Sequence, residues 1–358
     1  MLAALIGWSM DTAWHRMQAQ GIAHGFGVLD RATGWQINSP FLDQTADDPY
    51  WWTLVVAFVN TLGASAMSIV LACGLGVVIG IGLIAPNRVV AQVFRAYVEI
   101  FRNVPLVLQA LFWYANLTTL PAPRANPPSL FDSIYVTNQG LFLPSIQLGV
   151  RGLGWLWIAA LVALCVCVMR RHSASSRLRI NAALAASAVA FVVLTVIVLR
   201  VGPIVIDAPR MTGFSFQGGW DVPLELIALV LATVLFSAAY IGEIVRGGLQ
   251  SVPRGLIEAA QALGLPAGSV FGAVRFPIAL RSMVPALGNI FLFIVKATAI
   301  GSAIGYADVY SISVISISQT GQAVEFLIAM MLIYFVLNYS LTLAMNVLNR
   351  TIAFKGNR

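Results

Sequence analysis

The chain predicts an all-α polytopic membrane protein with about eight transmembrane helices. Three observations carry that reading. Of 358 residues, 59% are hydrophobic and 10% charged, and the mean hydropathy is +0.85, a balance outside the range of soluble domains. The apolar residues gather into runs of the length a bilayer-crossing helix requires, about 20 residues. Basic residues concentrate in alternate connections, which gives the chain a sidedness. The net charge of +7 would suit nucleic acid, but the arginines are dispersed over short loops and read as topology signals, so no nucleic-acid partner is expected. Cys73, Cys165 and Cys167 lie in apolar runs and read as small buried hydrophobes, without a disulfide or a metal.

In chain order, residues 1–16 are apolar but short for a span, and lack a convincing cleavage site, so they read as a clipped or tilted first helix. Residues 17–50 hold Gly25, Gly27, Asp43, Asp47 and Asp48 and form a loop, with or without a surface helix. The second span, 51–85, opens on the interfacial pair Trp51–Trp52 and carries Gly63, Gly74, Gly76, Gly80 and Gly82, a density that lets helices approach closely. In the third region, 89–117, Glu99 and Arg102 stand three apart on one helical face, and Pro105 breaks the ladder just beyond. Charges inside a span are costly and therefore mark function. Residues 120–154 are a Pro- and Asn-rich outer loop, 155–169 and 180–201 two further spans, and 202–221 a second polar loop. The sixth, seventh and eighth spans are 223–245, 284–304 and 326–347.

Eight spans put both termini on one side. That side holds Arg88, Arg95, Arg170, Arg171, Arg177, Arg179, Arg246, Arg254, Arg275, Arg281, Arg350, Lys355 and Arg358. Arg16, Arg31, Arg124, Arg151, Arg200 and Arg210 are spread over the longer loops of the other. Positive residues stay inside, so both termini and the 246–282 loop are assigned to the cytoplasm. Asp207, Asp221 and Asp308 fall in outer loops and read as solvated acids, or as contacts for an external partner.

The most informative stretch is 243–280, a polar segment between two apolar runs. Pro253 in a first turn and Gly264 at a stop bracket a helix of roughly ten residues, on which Leu256, Ala260 and Leu263 share a face. Pro266 and Gly268 make a turn, and Val270, Phe271 and Val274 give a second short amphipathic helix ending at Pro277. The residues Glu258, Ala259, Ala260, Gly264, Val274, Phe276 and Pro277 resemble, at the same spacing, the EAA loop of bacterial ATP-binding-cassette importer permeases. Val274 and Phe276 depart conservatively from it. In that family the loop docks into a cleft on a separate ATPase, which makes Glu258, Ala259, Ala260, Gly264 and Pro277 the expected coupling residues. The bland alternative is an amphipathic helix lying on lipid.

Further residues narrow the resemblance. Asn60-Thr61-Leu62, Tyr97-Val98-Glu99 with Phe101-Arg102-Asn103-Val104-Pro105-Leu106, Arg246-Gly247-Gly248 and Pro285-Ala286-Leu287-Gly288-Asn289 look like polar amino-acid importer permeases. The inserted pair at 155–201 and the Gly25-Phe26-Gly27 entry are similar to permeases of general L-amino-acid importers. The family's Leu-Lys-Asp-Thr-Ser-Leu is here Val295-Lys296-Ala297-Thr298-Ala299-Ile300, without the acid.

The resemblance implies a five-helix importer permease core with an inserted helix pair. Residues 1–50 would be an N-terminal membrane helix and periplasmic segment, and 51–119 the first two core spans. Residues 120–221 would hold periplasmic loops with the inserted pair, and 222–358 the last three core spans with the coupling loop. It implies location in the bacterial inner membrane. Implied partners are cytoplasmic ATPase subunits carrying ATP and Mg, a second permease and a periplasmic amino-acid-binding protein. The chain has no GxxxxGK[ST], HExxH or GxSxG, and His15, His24 and His172 are scattered, so neither an enzyme site nor a cofactor is expected in it.

Glu99, Arg102 and Lys296 are the intramembrane charges, and a zwitterionic amino acid needs a cation for its carboxylate and an anion for its ammonium. They are candidate pathway residues, with Asn103, Asn289 and Thr298 as hydrogen-bonding companions. Two readings stay open, because Glu99 and Arg102 would also neutralise each other at i,i+3 while Lys296 snorkels. Two other classes compete. An ion-coupled secondary transporter would show inverted repeats, and a membrane-embedded enzyme would need convergent catalytic groups in its spans; neither feature is found.

Overall fold

The computed structural model describes residues 25–123, 127, 129–130, 133–147, 205–212 and 215–352. The predicted spans within 1–16 and 155–201 lie outside them. The chain divides into two units, with boundaries after Thr119 and after Val222.

In the helical unit, α1 is Tyr50–Leu83, α2 Arg88–Asn103, α3 Leu106–Thr118, α4 Leu224–Gln250 and α5 Arg254–Ala262. The helix α6, Phe276–Ala297, continues into a 3-10 segment, Thr298–Ile304, and is followed by α7, Val309–Thr320, and α8, Ala323–Ile352. Among the described residues four helical stretches are long and apolar enough to cross a membrane: Tyr50–Leu83, Leu224–Gln250, Ala267–Ile304 and Ala323–Ile352; Leu106–Thr118 is a shorter apolar helix.

The core forms where α1 crosses α4. A side chain added at Gly76 or Gly80 would collide with Ile241 or Val245, and one added at Gly242 with Ile79. Small residues on each helix receive branched residues of the other, which brings the backbones close enough for dispersion contacts in a solvent that offers no hydrophobic drive. Ile79, Ile241, Val245 and Met283 are the centre of this cluster, and Phe94, Tyr97 and Phe101 of α2 pack on its flank. At the other end Tyr50, Leu54, Val309 and Phe326 close a second cluster under Val28, which sits in a 3-10 turn, Phe26–Asp30.

Four expectations are corrected here. The third apolar region is two helices, not one. Pro105 has no N–H for the Phe101 carbonyl, and the Gln109 amide nitrogen takes over by donating to the carbonyls of Phe101 and Val104, both at 3.0 Å. The second helix of the polar segment does not end at Pro277. A single turn, Ala267–Ser269, leads into a π-helical turn, Val270–Arg275, and on into α6. Pro277 sits in the first turn of α6, where its missing donor is tolerated.

Helix α7 stands where hydropathy alone leaves a loop. Its Asp308 caps the helix by accepting from the Ser311 N–H at 2.8 Å, and Gly321 ends it at φ +71°. Asp308 is accordingly a wholly buried residue, not a solvated loop acid.

Finally, the second unit makes the chain not purely α. It holds β1 Ser129–Leu130, β2 Ile134–Val136, β3 Gly140–Leu143, β4 Ser145–Gln147, β5 Val205–Asp207, β6 Arg210–Thr212, β7 Ser215–Gln217 and β8 Trp220–Pro223. A four-stranded sheet runs β1-β2-β3-β8, and β4-β5 and β6-β7 form two antiparallel pairs. Tyr135, Phe142 and Phe216 stack together as its aromatic centre. Strands of two to four residues are too short to print a two-residue alternation that could be told from an irregular loop.

Candidate functional site

Helix α5 is built by its ends. Pro253 presets its entry, and at its exit Gly264 adopts φ +77°. The Gly264 N–H donates to the Gln261 carbonyl at 2.9 Å and the Leu265 N–H to the Ala260 carbonyl at 3.3 Å. This double closure needs a left-handed residue, which glycine adopts without strain. Only Ala260 is buried; Glu258, Ala259 and Leu256 are exposed, and Leu263 is 82% exposed. Gly255, Glu258, Ala259 and Ala262 make an uncovered face of small residues around one carboxylate, shaped for close approach by another surface. Arg275 Nε donates to the Leu249 carbonyl at 3.2 Å, and the Ser251 and Ser282 hydroxyls lie 3.3 Å apart. These tie the segment to the feet of α4 and α6.

Helix α2 has three faces. Asn87 caps it, its side chain accepting from the N–H groups of Val89 and Val90. At 100° per residue, Ala91, Phe94, Val98 and Phe101 form the packed face, Val89, Val93 and Ile100 an exposed apolar one, and Arg88, Gln92, Arg95, Glu99 and Arg102 an exposed polar one. The packed face is pinned by Tyr97, whose hydroxyl donates to the Leu235 carbonyl at 2.8 Å. The polar face opens on a cavity of about 390 Å³ lined by Glu99, Arg102 and Asn103 together with Arg95, Tyr240 and Glu243. Arg102 does not pair with Glu99: its guanidinium lies over the Tyr240 ring, 4.7 Å from the centroid. Glu243 is held by Arg246 at 2.7 Å. Two guanidiniums and two carboxylates around one space can hold a carboxylate and an ammonium at once.

The sequence-predicted set is thus only partly brought together. Glu99, Arg102 and Asn103 share the cavity. Asn289 lines a separate one of about 190 Å³ beside Gly288, Thr342 and Asn346. Lys296 is exposed, and Thr298 is buried, its hydroxyl donating to the Val295 carbonyl at 2.9 Å. Sequence reasoning missed Arg95, Tyr240 and Glu243. Arg95 was legible, since it precedes Glu99 by four and Arg102 by seven.

A buried polar knot stands apart from both sites. Asn60 Nδ2 donates to the Ala307 carbonyl at 2.9 Å, Tyr306 donates to the Asn60 carbonyl at 2.9 Å, and the Val309 N–H donates to Thr61 Oγ1 at 3.1 Å. Burial pushes the Asp308 carboxyl up to about 6, against the pull of the Ser311 N–H and the Tyr334 hydroxyl. Among the described residues no group of His, Cys, Asp and Glu could hold a metal.

Comparison with known proteins gives this arrangement its setting. Residues 180–354 match the family model for the binding-protein-dependent transport system inner membrane component. The chain is 36% identical, over 98% of its length and 91% of the relative's, to Escherichia coli YhdX, by name an amino-acid ABC transporter permease. It is 32% identical to the general L-amino acid transport system permease AapQ of Rhizobium johnstonii, over 99% of this chain and 90% of that one. It is also 32% identical to the glutamate/glutamine/aspartate/asparagine transport permease BztB of Rhodobacter capsulatus, over 99% and 91%. In fold it is similar to a crystal structure of an amino acid ABC transporter with histidines, at a TM-score of 0.50 and 20% identity over 84% of this chain and 95% of that one. It is likewise similar to the inward-facing MetNI methionine transporter, at 0.51 and 16% over 85% and 97%. Coupling loop, helical core and full-length relatives agree, and the chain belongs to the permease subunits of binding-protein-dependent amino-acid ABC transporters.

Proposed function

We propose that the polar face of α2 lines the substrate path of this amino-acid importer permease, with Glu99, Arg102 and Asn103 facing the substrate. As a permease subunit it is not itself an enzyme, and ATP hydrolysis belongs to a separate ATPase. The observation that carries the pathway reading is the three-sided α2. A helix with charges on one exposed face and valines on another cannot lie wholly in lipid, so its charged side faces water in a cavity shared with other subunits. Asn289, Lys296 and Thr298 have weaker support as pathway residues, because they stand away from that cavity.

The finer assignments follow the same reading. The α5 face around Glu258 docks on the ATPase, which carries ATP and Mg, and Ala259, Ala260, Gly264 and Pro277 shape the docking segment. A second permease completes the channel, and a periplasmic amino-acid-binding protein delivers substrate. The subunit sits in the bacterial inner membrane with both termini in the cytoplasm, as the arginine asymmetry supports. Residues 51–119 and 222–358 form the transport core, and 120–221 the external part with the inserted pair. Closure of the ATPase moves α5 and rocks the core between outward-open and inward-open states.

The test is purification of the tagged subunit in mild detergent as wild type and Glu258→Lys, paired with uptake in cells. Wild type should bring an ATPase subunit with it, whereas the variant reaches the membrane in similar amount, loses the ATPase and takes up nothing. Unimpaired uptake by the variant would sink the coupling assignment.

A further inference from the structure

Arg88, Arg95 and Arg102 recur every seven residues along α2, so they stand on one side of the helix about 10 Å apart. A second cavity, of about 720 Å³, lies beside the first two turns of α2; among its lining residues are Arg88, Gln92 and Arg95, and Arg254 and Arg275 from the coupling segment. Arg95 lines both cavities, so the two spaces meet at one residue. Their charge differs: the cavity at Glu99 has two guanidiniums and two carboxylates, whereas the lower one has four guanidiniums and no carboxylate. Arg275 spends its Nε on the Leu249 carbonyl, while Arg88, Arg95 and Arg254 have no ion pair among the described residues.

We propose that Arg95 and Arg88 form a carboxylate-binding exit track that takes the substrate from the Glu99–Arg102 cavity toward the coupling segment. The proposal rests on the pathway reading above. A guanidinium stays charged at every working pH and grips a carboxylate in two parallel hydrogen bonds. A ligand moving down α2 exchanges Arg102 for Arg95 and then for Arg88, and its carboxylate is never without a partner. Its ammonium leaves Glu99 and Glu243 behind and finds no acid among the described residues lining the lower cavity, so the grip weakens as the ligand descends, which is the condition for release rather than trapping. The same field repels a second positive charge. The ligand class is therefore small amino acids with neutral or acidic side chains, in preference to basic ones.

The test uses the complete transporter, with its ATPase, second permease and binding protein, reconstituted in proteoliposomes. Uptake of L-glutamine, L-glutamate and L-arginine and the ATPase rate are read for wild type, Arg95→Gln, Arg95→Lys and Arg102→Gln. Arg95→Gln is expected to slow glutamine and glutamate uptake about tenfold or more, with binding-protein-stimulated ATP hydrolysis retained, and Arg95→Lys to restore most of the uptake. If Arg102→Gln stops uptake while Arg95→Gln transports as wild type does, the exit track is wrong and the pathway reading stands. If both transport normally, both readings fall. Loss of ATPase stimulation together with uptake, without rescue by lysine, would make Arg95 a structural residue and overturn the track. Should Arg95→Gln fail to assemble, Arg88→Gln carries the same expectation, and wild-type uptake by it would overturn the track in the same way.

Discussion

At the scale of single residues, side chains take up hydrogen bonds that the backbone leaves unmade at its helix ends. Gln109 serves the carbonyls of Phe101 and Val104 next to Pro105, in place of the N–H that the proline lacks. Asp308 does similar work at the head of α7, and it is the residue where pH should be felt. Its folded carboxyl titrates near 6, above its ordinary 3.8. Its contribution to stability is therefore fully present below about 4 and lost as pH rises through 6, a swing of about 3 kcal/mol. Melting curves in detergent from pH 4 to 7 should show wild type losing stability relative to Asp308→Asn as pH rises. Parallel curves would mean the carboxyl is not perturbed. None of this was legible at Asp308 itself, because a polar residue between an apolar run and a Ser-rich stretch looks solvated. Its hydrogen-bond partner Tyr334 lies 26 residues on in α8.

At the scale of elements, glycine placement decides which helices touch. Gly76, Gly80 and Gly242 have no room for a side chain, whereas Gly74, on the same helix as the first two, has open space beside it. Gly80→Leu should therefore prevent the α1–α4 crossing, at about 1–3 kcal/mol or more on the usual scale of overpacking, and leave little folded protein in the membrane. Gly74→Leu should accumulate normally. Comparison of the two by in-gel fluorescence and size-exclusion profile is the check, and equal yields would remove the crossing from the core. The glycine density of 51–85 announced close packing, but not which glycines meet a partner, since that depends on α4, more than a hundred residues later in the chain. The coupling helix was the most legible element, because its stop is written locally in Gly264 and its start in Pro253. The end assigned at Pro277 failed for the opposite reason, since a π turn relieves the proline and the sequence carries no mark of it.

At the scale of the whole molecule, the exposed faces say which surroundings each helix has. Met331, Phe335 and Tyr339 of α8 are 68%, 64% and 54% exposed and stand on one apolar arc, suited to acyl chains. A tryptophan placed as Phe335→Trp should be quenched in vesicles of brominated lipid, whereas Asn103→Trp, on the polar side of α2, should not. The reverse pattern would exchange the lipid and pathway sides. Hydropathy placed 51–85, 223–245 and 326–347 within about five residues of Tyr50–Leu83, Leu224–Gln250 and Ala323–Ile352, but began the seventh span at 284, where the apolar helical stretch starts at Ala267. The break between Asn103 and Leu106 was written locally in Pro105, but hydropathy was blind to which charges share a space. Glu99 and Arg102 were three apart in sequence, yet the ring that takes Arg102 comes from Tyr240 on another helix.

The wide turn at Val270–Arg275 has a mechanical meaning. A continuous α-helix from coupling segment to span would be a stiff rod and hand on every push unchanged, but a π turn is one residue loose in the winding. That makes it a compliance in series with the rod: part of a thrust goes into rewinding, and the remainder emerges as rotation as well as travel. Taking out the slack should show this. Deleting Gly272 would restore α winding and shift the phase between α5 and α6 by about 100°. ATP hydrolysis should then continue while uptake stops; normal uptake would mean the joint transmits nothing that depends on its phase.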